Sequence, residues 1–216
     1  TSKDTSSTLN KIEQTFHLHK QHIPDKLVQQ NQMSYMRQAL DKNKSNVNIT
    51  YPINPPFAFI NIFFDKKEGE FHYNVLEPKL TKDEQKKLKT VKSKLESVMD
   101  KERLPIDEGI AFSKSDKLSN YLKNRFEKII DLFDITISEE RQPIMRFYLE
   151  RQLIGLGRAD TIIRDPYVED ISCNGPKVPL FLFHRVFGPI KTNLMYPDEL
   201  ELNRFILKLA QISGKH

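Results

Sequence analysis

His184 and Arg185 are the residues best placed to do chemistry. They close the apolar run VPLFLF, where a charged pair has to reach solvent, a partner or a phosphate. A guanidinium is always charged and can hold two phosphate oxygens at once, which suits it to stabilising the charge that develops in phosphoryl transfer. The competing reading is an edge-strand arginine that forms a salt bridge or guards against aggregation. A second grouping lies in RDPYVEDISCNG, residues 164–175. Asp165 precedes Pro166, which disfavours a helical conformation at Asp165, and its carboxylate can accept the backbone N–H groups of the turn that follows. Glu169 and Asp170 fall at a strand start; adjacent strand residues point to opposite faces, so turn and capping roles outweigh paired acid/base catalysis. No catalytic residue is assigned.

His17, His19 and His22 form H-x-H-x-x-H. On a helix only His19 and His22 share a side, and neither carboxylate nor thiol completes a site, so they read as solvated polar residues and no metal is expected. His72 reads as a strand surface residue. The single cysteine, Cys173, has no neighbouring base to activate it and reads as inert, as fits a reducing compartment. No G-x-x-x-x-G-K-(S/T) loop occurs in the sequence, and this is the loop that cradles phosphate in nucleotide hydrolases.

The elements that must carry these residues form an α+β pattern. Residues 1–48 are polar and weakly amphipathic, broken at Ile23-Pro24, and end in the linker DKNKSNVN. YPINPPFAFINIFF and FHYNV, separated by the polar turn DKKEGE, give a hairpin signal. Thr81 and Glu84 have capping-box spacing, which predicts a helix over 82–101. Two further helices are expected, near 115–134 and from Ser138 to about Ile154, with Pro143 in the first turn of the second and Gly155 and Gly157 at its end. A small antiparallel sheet follows, with turns at Gly175-Pro176 and Phe187-Gly188, and then a helix opened by Pro197, Asp198 and Glu199. The expected division is a polar segment 1–48, a hairpin plus helix-bundle subdomain 49–157, and a small α+β subdomain 158–213.

With 38% hydrophobic residues and 14 Phe the chain can bury a core, while 29% charged residues and a mean hydropathy of -0.56 predict a soluble protein. The apolar stretch 56–64 falls short of the roughly 20 residues needed to span a bilayer. The chain opens without the basic and apolar blocks of a signal peptide, which predicts a cytosolic location. A net charge of +5 permits attraction to phosphate without choosing among nucleotide, nucleic acid and lipid headgroup. Phe57, Phe59 and Phe63 alternate along one strand, a pattern of core burial more than of base stacking, and no nucleic acid is expected.

The segment RDPYVEDISCNG resembles the D-P-x-(V/I)-x-(D/E)-I motif in the N-terminal domains of type II/IV secretion-system ATPases, the family of motors for secretion, type IV pili and the archaellum. YPINPPFAFINI and YNVLEPKLTKDE are similar to the archaeal branch, so the resemblance spans about residues 51–216. It implies a domain that lies against a RecA-like motor domain, helps to bind nucleotide there, and passes motion to membrane and filament-assembly partners. Arg185, Lys191 and His184 match the positions that approach nucleotide phosphates, and Asp165, Pro166, Asp170, Gly175 and Gly188 match the structural motif. ATP and Mg2+ are implied for the parent ATPase, as are a hexamer, a membrane platform protein as partner, and a cytoplasmic location peripheral to the membrane. Without the phosphate loop this segment is expected to be inactive by itself. A stand-alone adaptor domain is the alternative, and a nucleic-acid-binding domain the third.

Overall fold

The computed structural model describes residues 25–102 and 116–212. The chain is α+β. Helix α1 (Asp25–Lys42) and a 3-10 turn lead into β1 (Asn48–Asn54), β2 (Ala58–Asp65) and β3 (Glu70–Leu76). The helices α2 (Lys82–Glu102), α3 (Asp116–Leu132) and α4 (Gln142–Leu153) follow. A 3-10 turn and the short α5 (Asp160–Ile163) then deliver the chain to β4 (Val168–Ser172), β5 (Pro179–His184), β6 (Gly188–Met195) and α6 (Glu199–Ile212). The histidines His17, His19 and His22 lie outside the described residues.

The six strands form one sheet in the order β1-β2-β3-β6-β5-β4. Each half is antiparallel, and the halves meet at a parallel seam where His72 pairs with Lys191 and Tyr73 with Thr192. The Asn193 side chain extends the seam, accepting from Val75 N–H at 2.9 Å and donating to Val75 O at 3.0 Å. The sheet therefore takes strands from both sides of residues 157/158.

The run expected as one strand from Tyr51 is two strands. Consecutive prolines, Pro55 and Pro56, with a cis peptide between them, offer no N–H for a ladder, and the chain reverses there. Pro52 is tolerated because β1 is an edge.

Period-2 alternation puts Ile49, Tyr51, Ile60, Ile62, Tyr73, Val75, Leu180, Leu182 and Ile190 on one face, where they form a buried cluster with Met36 of α1, while Leu202 and Phe205 of α6 pack against it. Burying each large aliphatic side chain is worth about 1.5–3 kcal/mol. The other face mixes polar and apolar side chains: Asn61 donates to Asn48 at 2.7 Å and Thr50 at 3.0 Å, and Phe181, Phe183 and Met195 are exposed on it.

A second cluster joins α2, α3 and α4 through Leu88, Val91, Leu95, Phe126, Ile129, Ile130, Met145 and Leu149. The predicted capping box is present: Thr81 N–H donates to Glu84 Oε2 at 2.7 Å, and Glu84 N–H to Thr81 Oγ1 at 3.2 Å. Arg141 grips the same carboxylate at 2.5 and 2.9 Å and holds the Glu84 carboxyl down at about 2. Glu77, just past β3, ties helices to sheet: its Oε2 stands 2.5 Å from Arg151 Nη1 and its Oε1 accepts from the Thr161 hydroxyl at 2.7 Å.

Candidate functional site

The site begins with the turn that ends α5. Asp165 N–H still bonds back to Ile162 O at 3.1 Å, Pro166 cannot continue the helix, and Asp165 Oδ1 accepts Tyr167 N–H at 2.8 Å. That turn chemistry follows from sequence. Its partners on the other carboxylate oxygen do not: Oδ2 accepts from the Tyr51 hydroxyl at 2.7 Å and the Tyr73 hydroxyl at 2.6 Å. Asp165 is buried, and burial pushes its carboxyl above the ordinary value against the lowering effect of these bonds. It anchors the turn to β1 and β3. The signal for these tyrosines was a hydroxyl at an inward position in each of two otherwise aliphatic strand faces.

His184 joins this network and departs from the expectation. It was expected at a strand end reaching solvent or phosphate; it is fully buried. Its parity on β5 is that of Leu180 and Leu182, which face the core. Nδ1 accepts Val186 N–H at 3.1 Å, so the neutral ring carries its proton on Nε2, 3.4 Å from the Tyr51 hydroxyl. A donor chain runs from His184 through Tyr51 to Asp165. Burial, with Arg185 adding repulsion, lowers the His184 pKa from 6.5 to about 4. A neutral, enclosed imidazole cannot bind phosphate, so His184 shapes the turn instead.

Arg185 leaves that core. Its backbone N–H donates to Tyr167 O at 2.9 Å, locking the β5–β6 turn to the motif. The guanidinium lies outside, with Nε 3.4 Å from Glu169 Oε1 and both side chains 48% exposed. Strict alternation fails next to Glu169 because the register shifts between Val168 and Asp170; the bulge leaves both Glu169 and Asp170 exposed. Gly188 pairs with His184 across the turn at φ 71, and Gly175 stands at φ 123, conformations for which glycine has no Cβ penalty. Lys191 is on the mixed face of β6, opposite Phe181 and His72, with Nζ 3.8 Å from Glu68 Oε2. The two basic residues thus have separate acidic partners. Cys173 is exposed.

Phe59 is buried, Phe57 packs on Phe147 at 5.3 Å, and Phe63 stacks on His72 at 5.3 Å, so these three rings form no open stacking row. Two shallow clefts, of about 220 and 350 Å³, lie among the helices, and neither is lined by a residue of the motif or of the β5–β6 turn. Among the described residues no helix is long and apolar enough to cross a membrane.

No protein-family model matches the chain. It is similar to uncharacterized protein MJ1288 of Methanocaldococcus jannaschii, with 30% identity over 204 residues, 94% of this chain and 78% of that protein. It is also similar to uncharacterized protein MJ0900 of the same organism, with 33% identity over 180 residues, 78% of this chain but 32% of that protein. The chain therefore spans about a third of the length of MJ0900. With a likeness that covers most of both sequences, the chain belongs to the same family as the archaeal protein MJ1288.

Proposed function

We propose that this chain is the N-terminal domain of a secretion or type IV pilus-type assembly ATPase, helping to bind nucleotide at the edge of a RecA-like motor domain and passing its motion to membrane and filament-assembly partners. The observation that carries this reading is the junction of the RDPYVED segment with the β5–β6 turn. Arg185 N–H is fastened to Tyr167 O, while the guanidinium stands at the surface, ion-paired with Glu169. An exposed pair of this kind is worth about 0–1 kcal/mol. A phosphate from the motor domain or a neighbouring subunit of a hexamer would draw the arginine away at little cost, and Lys191, held by Glu68 at 3.8 Å, is the second candidate.

Helix α6 supports the same reading. Leu202 and Phe205 pack inward, yet Leu200, Ile206, Leu207 and Leu209 are exposed. A helix apolar on more than one side is suited to burial beneath a further domain. The part of MJ0900 outside the match, about two thirds of it, leaves length for such a domain there.

ATP hydrolysis tests the reading, measured on this chain alone and on the full native polypeptide that contains it, with and without Arg185→Ala. The expected result is silence from the chain alone, turnover by the full polypeptide, and a loss of roughly a hundredfold or more with Arg185→Ala. Turnover by the chain alone, or full activity without the arginine, would overturn it. The adaptor reading gains if the chain captures a membrane partner while the full polypeptide neither binds nor hydrolyses ATP.

A further inference from the structure

From the geometry around the β2–β3 turn we infer a binding site for a divalent first-row transition metal of the Zn2+ or Co2+ class, built from Asp65, Glu68 and His72. One ligand atom from each lies within 4.8 Å of the other two. Asp65 ends β2 and His72 lies in β3, while Glu68 is carried back over them by a turn that Gly69 closes at φ 73, with Gly69 N–H bonded to Asp65 O at 2.8 Å.

The imidazole is what distinguishes this cluster from a patch of surface acids. His72 Nε2 is sealed from solvent and has no aligned hydrogen-bond partner, although Glu68 Oε2 is only 3.0 Å away. Two ligands each about 2.0–2.1 Å from a metal ion stand roughly 2.8–3.4 Å apart at right to tetrahedral angles. The Glu68–His72 separation therefore already has the spacing of two ligands on one ion. Phe63 stacks on the imidazole at 5.3 Å and 17°, holding the ring in place.

Asp65 is similarly prepared. Its Oδ1 accepts Lys67 N–H at 2.7 Å and Glu68 N–H at 3.2 Å, which leaves Oδ2 for a ligand, and these bonds, Lys67 first, hold its carboxyl below the ordinary range. Metal-binding carboxylates are oriented by such outer hydrogen bonds. Two carboxylates and an imidazole suit Zn2+, Co2+ or Fe2+ better than Mg2+ or Ca2+, which prefer all-oxygen sites. Three protein ligands leave further positions for water. Lys191 Nζ, 3.8 Å from the same Glu68 oxygen, competes with the ion for that carboxylate.

The test is a Co2+ titration of the full chain, followed by visible absorption and by Zn2+ displacement, in a background with His17, His19 and His22 replaced by Ala. The expected result is one saturable equivalent with a ligand-field band that Zn2+ abolishes. His72→Ala and Glu68→Gln should each weaken binding at least about tenfold, since even outer-shell changes cost 10–100-fold, and Lys191→Met should tighten it. Glu68 is 51% exposed, so Glu68→Gln keeps the test valid if His72→Ala unfolds. Absence of saturable binding, or binding unchanged in either ligand variant that remains folded, overturns the site.

Discussion

Replacing Asp165 with Ala removes one acceptor from three buried donors at once: the hydroxyls of Tyr51 and Tyr73 and the N–H of Tyr167. A buried donor stripped of its partner costs about 1–3 kcal/mol. The three share one small space that a single water can partly refill, so the loss is expected at about 3–6 kcal/mol, the low end of the simple sum. For a chain of this size, that corresponds to a fall in Tm of roughly 8–20 °C. Urea unfolding followed by circular dichroism measures it directly, with linear extrapolation of the transition. Asp165→Asn, which keeps one acceptor oxygen, should fall between wild type and Asp165→Ala. A loss below about 1 kcal/mol in Asp165→Ala would mean that the tyrosines find other partners and that Asp165 does not anchor the turn.

The His184 pKa is depressed from 6.5 to about 4, so its contribution is present above pH 6.5 and lost as pH falls towards 4; the urea midpoint should drop across that window by an equivalent of about 3 kcal/mol, and His184→Gln should flatten the profile. Asp165 has the opposite sign: its raised carboxyl favours stability at low pH and withdraws it as pH rises above the ordinary value, a slope that Asp165→Asn should remove. Gly155→Ala would place a Cβ 2.5 Å from Asp160 Oδ1 and 3.1 Å from Arg151 Cα, disturbing a buried carboxylate that accepts Leu156 N–H at 3.0 Å; a loss of about 1–3 kcal/mol is expected on thermal unfolding. Arg151→Ala strands Glu77 and frees Gly157 O, with an expected loss of about 3–5 kcal/mol in the same assay.

What could be read beforehand were features whose partners are near in sequence. The Thr81/Glu84 box spans three residues, Pro143 starts its helix, and the 179–195 hairpin reverses at the expected turn near Phe187-Gly188. The Asp165 turn belongs to this class through Tyr167, two residues on. Features closed over long distances escaped: Asp165 meets Tyr51 and Tyr73 across 114 and 92 residues, and no local pattern says which inward tyrosine meets which acid. The parallel pairing of β3 with β6 is of the same kind, since over a hundred residues separate the strands. His184 is a different failure. Its parity with Leu180 and Leu182 was visible, but its charge-bearing type and Arg185 beside it favoured an outward reading. The bulge at Glu169 likewise overrode the alternation that separates adjacent acids.

The seam between β3 and β6 has a mechanical consequence. The antiparallel ribbons on either side are stiffened by long ladders, whereas the seam is held by two residue pairs and by the Asn193 amide clasped to Val75. Twisting one ribbon against the other concentrates strain along that line, as a sheet of paper folds along its perforation. Lys191 and His72 sit on the line itself and Arg185 on the ribbon beyond it, so a load applied at the β5–β6 turn would change the spacing across the perforation before it disturbed either ladder.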